Sequence, residues 1–403
     1  QRALVICFGL HRTWDSRICP VPFERSTLLT DVTFASRTNT GKAFIALYDA
    51  LGRPGAWRHL DTNQPSNPLA IGFAYGYDRV GNKRWQRVLH DPSDSQRYAY
   101  DSASRLSAYV RGDFGPGEEE WCDAPTTPTR AGMTQAREWA LDGVGNWRET
   151  RTRTDGQTSA VERTTTSFNE YAAIGATPQS HDDNGNLIAD GARLYAWDAM
   201  SRLVRVADAA TSQPIVRYAY DPGNRRMLKN LHDGNTSDTL YFHTNWQVAE
   251  ERAAAGGALR RQFVYGNYID EPLAMISLTG GTALYYYQQD ANYNVMALVN
   301  DAGVKVEGYI YDPYGRHQVF YRSGSEVRFW STDPFVIAGA SNVGNPYTFT
   351  GRRFDPVDLP VNMISSSNIS GEPICHTKEF YDEVCNCCDG GCSMLNLRFI
   401  KAF

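Results

Sequence analysis

RYAYDPGNR, at Arg217–Arg225, is the stretch whose reading decides the fold. Tyr218 and Tyr220 lie two residues apart, so on an extended strand they share one face. Asp221 follows, a residue whose carboxylate can accept from backbone N–H groups two and three residues on and so close a turn. The unit therefore predicts a strand, a tight turn and a return strand. It recurs as FAYGYDRVGN at Phe73–Asn82, RYAYDSASR at Arg97–Arg105, LYAWDAMSR at Leu194–Arg202 and GYIYDPYGR at Gly308–Arg316. Weaker copies are YDALGR at Tyr48–Arg53, LDGVGN at Leu141–Asn146 and DDNGN at Asp182–Asn186.

The copies are regularly spaced. Asp78 to Asp101 and Asp198 to Asp221 are each 23 residues, Asp290 to Asp312 is 22, and the two steps Asp101–Asp142–Asp182 are 41 and 40. These distances point to a unit of about twenty residues with degenerate members. Asp49, Asp78, Asp101, Asp198, Asp221 and Asp312 are the expected turn residues. Gly81 and Gly315 supply the positive φ of a bulged hairpin, and Ser104 and Ser201 fill that position less well. Helix signals are nearly absent. The best candidate, Gln247–Ala255, is ended by Gly256 and Gly257 and is read as one arm and the tip of a hairpin. The expected fold class is all-β: antiparallel β-hairpin repeats wound into a spiral shell.

Composition agrees. Among 403 residues the aromatic share is 12%, with 23 Tyr and 34 Gly, which suits aromatic strands separated by tight turns. A net charge of -5 lacks the basic footprint of a nucleic-acid-binding body. No stretch approaches the roughly 20 apolar residues of a membrane-spanning helix. Ala3–Leu10 is apolar but is followed by Arg12, Asp15 and Arg17, a weak pattern for an export signal.

Three ordered motifs make the reading specific. RRQFVYGNYIDEPL at Arg260–Leu273 resembles the VYG-xx-IDEPL signature of the RHS/YD-repeat family. Tyr285–Arg316, ending in YIYDPYGR, is similar to that family's ALVD–YDPYG motif, and NPYTFTGRRFDP at Asn345–Pro356 resembles the opening of the RHS repeat-associated core. The signature residues are Tyr265, Gly266, Asp270, Glu271, Pro272, Tyr311, Asp312, Pro313 and Gly315. The likeness covers about residues 40–356. It implies a polymorphic toxin shell or a teneurin-like YD shell: a hollow β wall that encloses a C-terminal toxin in bacteria, or part of a surface adhesion protein in animals. It divides the chain into an N-terminal segment at 1–39, the repeat shell at 40–344, the start of the core motif at 345–356 and a divergent Cys-rich tail at 357–403.

Beyond Asp355-Pro356 the family pattern stops, and with it the motif the family uses for self-cleavage, so none is expected. Asp333-Pro334 does not take over that role. Cys375, Cys385, Cys387, Cys388 and Cys392, with His376, have ligand chemistry, but their spacing fits no paired C-x2-C knuckle. Zinc, disulfides and an unstructured tail from a shifted frame remain open. Asp182–Asn186 lacks the distal Glu of a calcium loop and reads as a turn. Asp270 and Glu271 are adjacent carboxylates which, on a strand, would point to opposite faces. Tyr285, Tyr286, Tyr287 and Trp330 suit either a sugar-stacking surface or, because the pairs recur, the wall itself.

The expected function is a structural shell that encapsulates or delivers a C-terminal toxin-like polypeptide in bacterial competition, here truncated, with the wall doing no chemistry and needing no cofactor. The rival is a cell-surface adhesion or glycan-binding protein, and a Cys/His-tail enzyme is a third class. Expected partners are an enclosed toxin polypeptide and its cognate immunity protein, or an envelope or glycan receptor, but neither nucleic acid nor a membrane span. The expected location is secreted or cell-surface.

Overall fold

The computed structural model describes residues 30–35, 42–61, 69–114, 133–154, 156–231, 238–321 and 341–355. Cys7, Cys19, Cys122, Trp330, Asp333-Pro334, Pro356 and the tail cysteines Cys375, Cys385, Cys387, Cys388 and Cys392 lie outside the described residues.

Among the described residues there are 26 strands, from β1 (Thr30–Ala35) to β26 (His317–Tyr321), and two single-turn 3-10 helices. Each strand pairs with its neighbours in sequence. The strands form a 12-stranded sheet ordered β1 to β12 (Thr177–Pro178) and a 14-stranded sheet ordered β13 (Ser180–His181) to β26. The pairing is antiparallel throughout, without a crossover. The meander breaks once, at Gln179, so the repeat region is built as two sheets. Gln247–Ala253 is strand β20, and Gly256 and Gly257 turn it back into β21 (Leu259–Tyr265).

Because the order is sequential, every second connection falls on the same rim. In the first sheet the repeat turns at Asp49, Asp78, Asp101 and Asp142 share one rim, and in the second those at Asp182, Asp198, Asp221, Asp290 and Asp312 do. A register shift accompanies the residue before the Asp in many copies, as at Leu47/Tyr48, Gly76/Tyr77, Ala99/Tyr100 and Ala219/Tyr220. That recurring bulge lets a five-residue turn join two otherwise regular strands.

The buried side chains follow the alternation. Ile71, Phe73 and Tyr75 of β4 (Leu69–Tyr77) share one cluster with Phe263 of β21, Met275 of β22 (Pro272–Ser277), Tyr287 of β23 (Ala283–Gln289) and Tyr309 and Tyr311 of β25 (Lys305–Tyr311). The largest core cluster is therefore shared by the two sheets, with smaller clusters beside it. The last turns of the second sheet press into the first. Tyr75 Oη accepts from Ala291 N at 3.2 Å, and Gln96 Nε2 donates to the Tyr311 carbonyl at 2.9 Å. Tyr314 packs edge-on against Trp139 and Trp147, with ring centroids 5.0 and 4.6 Å apart.

Candidate functional site: a latched rim and a strapped tyrosine face

The repeat turn has one geometry in copy after copy. In the Asp221 copy the Asp N–H donates to the Arg225 carbonyl and Asn224 N donates back to the Asp221 carbonyl, at 3.0 and 3.1 Å. Oδ1 accepts from Gly223 N and Arg225 N at 2.8 and 2.9 Å, and Oδ2 accepts from Arg225 Nε at 2.7 Å. The carboxylate thus caps N–H groups two and four residues on; the expectation of two and three is corrected. The reason is the left-handed residue at the fourth position, which turns its own N–H to the Asp carbonyl and brings the next N–H to the carboxylate. Gly81 (φ 100°) and Gly315 (φ 86°) take that conformation, and so do Ser104, Ser201 and Asn224. Backbone and side-chain hydrogen bonds from Arg225 hold the Asp221 carboxyl below the usual carboxylate range.

The fifth residue also reaches forward. Arg53 Nη1 donates to the Asp78 carbonyl at 3.2 Å, Arg105 to Asp142 at 2.9 Å, Arg202 to Asp221 at 3.0 Å and Arg225 to Asn245 at 3.0 Å. Where Asn replaces Arg the reach is shorter and the partner is a side chain: Asn82 and Asn186 donate to Ser104 and Ser201 Oγ, both at 3.3 Å. The aromatic residue before the Asp reaches the other way. Tyr77, Tyr100, Tyr220 and Tyr311 donate their hydroxyls to the carbonyls of Pro54, Lys83, Leu203 and Val295, at 2.6–3.0 Å, and Tyr265, which precedes Gly266, does the same to Val248 at 2.8 Å. Trp197 does the same to Leu187 through its indole N–H at 2.7 Å. In each case the acceptor is the first or, for Val248, the second residue of the strand that leaves the preceding turn. The Tyr-Asp-x-x-Gly-Arg/Asn pattern is thereby a two-way latch, with Tyr fastening backward and Arg or Asn fastening forward.

The second element is the segment 341–355, which holds NPYTFTGRRFD. It lies across the tyrosine face of the second sheet as a strap. Ser341 Oγ donates to Glu307 at 2.7 Å and Val343 N at 3.0 Å. Asn345 is bonded to Tyr287 and Tyr309, at 2.8 and 2.9 Å. Tyr347 meets the Tyr265 hydroxyl and sits against the Phe263 ring. Asp355 accepts from Arg226 at 2.9 Å, Lys229 at 2.5 Å and Tyr218 at 3.1 Å.

Arg353 anchors the last part of the strap. It pairs with Glu251, which also takes Arg261 at 2.6 Å, and lies over the rings of Tyr241 and Tyr347. Burial alone would raise the Glu251 carboxyl; the two guanidinium groups outweigh it and hold the group below its ordinary range.

Of the signature residues, Tyr265, Asp270, Tyr311 and Gly315 meet this strap. Tyr265 and Tyr311 are latch tyrosines, and Tyr311 also packs on Phe349. Gly266 N donates to the Glu271 carbonyl at 2.9 Å, and Pro272 opens β22. Asp270 and Glu271 stand in the turn rather than on a strand, a second correction, because β21 ends at Tyr265. They diverge nonetheless: Asp270 pairs with Arg352 of the strap at 3.0 Å, while Glu271 folds back on Tyr268 N at 3.3 Å.

Pro313 pre-sets the Asp312 turn, and Asp312 forms a buried ion pair with Arg137 of β8 (Met133–Leu141) at 2.7 Å. Two glycines admit the strap. A Cβ on Gly351 would lie 1.9 Å from the Asp270 carbonyl oxygen, and one on Gly315 would lie 2.6 Å from the Phe349 ring. Tyr287 belongs to this face, whereas Tyr285 and Tyr286 are half-buried. Glu251, Glu307, Arg137 and Arg353 carry most of the polar structure and were not singled out from sequence. Their signal is a charged residue at an inward-facing strand position or inside the strap motif.

Among the described residues no group of three or more His, Cys, Asp and Glu is placed to hold a metal ion, and no helix is long and apolar enough to cross a membrane.

Residues 148–329 match the Teneurin YD-shell family model. The chain is 28% identical over 178 residues to the tRNA3(Ser)-specific nuclease WapA of Bacillus spizizenii, and 27% identical to the tRNA nuclease WapA of Bacillus subtilis. Each match covers 44% of this chain but only 7% of the WapA protein. In fold, the TcdB2-TccC3 crystal structure is similar with a TM-score of 0.58 at 14% identity, over 79% of this chain and 16% of that one. The Photorhabdus luminescens Tc holotoxin pore gives 0.53 at 14% identity, over 69% and 15%. Residues 148–329 thus carry the Teneurin YD-shell pattern, and the chain is similar to YD-shell and RHS-repeat proteins in its repeated latched turns and in fold.

Proposed function

We propose that this chain is a section of the wall of a toxin-carrying shell. Its two sheets continue a spiral that closes around a polypeptide, and the wall supports and shields that cargo without reacting with it. One observation carries this reading: the tyrosine face already holds a stretch of chain, the strap 341–355, through buried Glu251, Asp270 and Glu307. A face that fixes one extended segment by side-chain charge and backbone N–H groups is suited to holding polypeptide. The partners are then an enclosed toxin-like polypeptide and the immunity protein that neutralises it, and the site of action is outside the producing cell or on its surface.

The test is a reporter polypeptide fused after Phe403, exposed to protease beside the free reporter. A shell protects the reporter severalfold, and solution scattering of the full chain shows a hollow body. Equal digestion rates together with a solid envelope would remove the proposal.

A further inference from the structure

The turn tips carry a pattern that the latch does not use. Two residues beyond the capping Asp, at the point farthest from the sheet, the first sheet places Leu51, Val80, Ala103 and Val144 in four successive turns, and Phe168 at the same position of the Thr166 turn. All five are exposed, Phe168 at 82% and Leu51 at 74%. A lone exposed apolar residue is ordinary, but five in register on one rim are not.

One tip residue of this kind is covered. Tyr314, two beyond Asp312, is the aromatic that inserts between Trp139 and Trp147. Neighbouring turns also meet: Tyr268, in the turn after β21, stacks on Tyr293, the fourth residue of the Asp290 turn, with ring centroids 4.7 Å apart. At Tyr314, then, a repeat tip is covered by apolar side chains of the same repeat architecture.

The charge on the rim agrees. Asp49 and Asp101 are neutralised within their own turns by Arg53 and Arg105 at 2.7 Å, and Asp78 and Asp142 are capped by Asn82 and Asn146. The row therefore presents apolar knobs between two ion-paired and two amide-capped carboxylates, with no excess of positive charge to suit a nucleic acid or an anionic lipid surface.

We infer that the exposed turn tips of the first sheet form a docking edge for a second copy of this chain, rim against rim about a two-fold axis. Turns on one rim recur every two strands, about 9.6 Å, which leaves room for a knob from the opposing row between each pair. A two-fold arrangement runs the two rows in opposite directions and uses the same patch twice. Five knobs a side bury on the order of 1,000 Å² in total, the lower bound for a specific interface, so association should be weak. This inference does not depend on any cargo.

The test is sedimentation velocity of the full chain over roughly 1 to 100 µM, the range in which so small an interface should dissociate. The expected result is a concentration-dependent dimer. L51E/V80E/V144E/F168E should be monomeric over that range, with an unchanged circular dichroism spectrum. S159E/T165E, which adds charge to an exposed strand of the same sheet, should dimerise like the parent. If the charged variant misfolds, L51S/V80S/V144S/F168S replaces it and should weaken dimerisation at least roughly tenfold. A parent chain that stays monomeric throughout, or a dimer that survives loss of all four tips, overturns the inference.

Discussion

Arg137 and Asp312 meet at 2.7 Å with both side chains almost fully buried, and this pair ties the first sheet to the last turn of the second. Asp312 keeps its turn-capping role as well, since Oδ1 accepts from Tyr314 and Arg316 N. Replacing Asp312 by Asn retains those backbone bonds and strands the guanidinium. We expect a loss of about 3–5 kcal/mol, read from denaturant unfolding. Arg137→Met combined with Asp312→Leu should be less harmful on the sheet contact than either charge removal alone, because no unpaired buried ion is left.

The latch predicts a graded series on the rim. Tyr220→Phe removes one hydroxyl that donates to Leu203 and should cost about 1 kcal/mol. Asp221→Ala removes three acceptor contacts at once and should cost more, about 2 kcal/mol. Arg225→Lys loses the Nε contact and the fork geometry and should fall between them. Thermal melting of the three variants tests the order; Tyr220→Phe as the worst would contradict the role given to the carboxylate.

Gly351→Ala should release the strap. Its Cβ has no room beside the Asp270 carbonyl, and the residue's φ of 71° disfavours any side chain. The expected outcome is faster proteolysis within 341–355, with the β-sheet circular dichroism retained. Gly52→Ala faces no neighbour within 4 Å, bears only the conformational strain, and serves as control.

Acid should weaken the molecule in a defined window. Burial lowers His59 to about 4, His90 to about 3 and His317 to about 4. A group whose folded pKa is depressed gives its full stability above the unfolded value, near 6.5, and loses it as pH falls toward the folded value. Asp94, raised by burial to about 6, and Asp290, also raised by burial, work in the opposite sense over part of this range, but they are two groups against the three rings. The urea midpoint should therefore drop between pH 6.5 and about 4. A flat profile across that range would show that these rings are hydrated.

The fold was legible because the repeat unit is local. Two tyrosines on one face, an Asp cap and a left-handed Gly or Ser are short-range physics, and the pattern states them openly at Tyr98–Arg105 and Tyr218–Arg225. The last residue of the unit was visible too, yet its reach was not. Arg105 finds the Asp142 carbonyl only once two more strands are in place. The strap was recognisable as NPYTFTGRRFD but gave no address, since Asp355 meets Arg226 and Lys229 nearly 130 positions earlier. Long-range electrostatic partners such as Glu251 with Arg353 leave no periodic trace in a sequence. The break at Gln179, between two short strands, is equally silent.

The two-way latch gives the wall a direction in time. A turn emerging during synthesis can fasten its tyrosine at once, because the carbonyl it needs belongs to the turn already made. Its Arg or Asn must wait for the next turn to appear. The growing end is thus always held from behind and open ahead, so that the sheet can add hairpins in order without solving a distant pairing problem. Losing one arginine would then be felt mainly by the following hairpin.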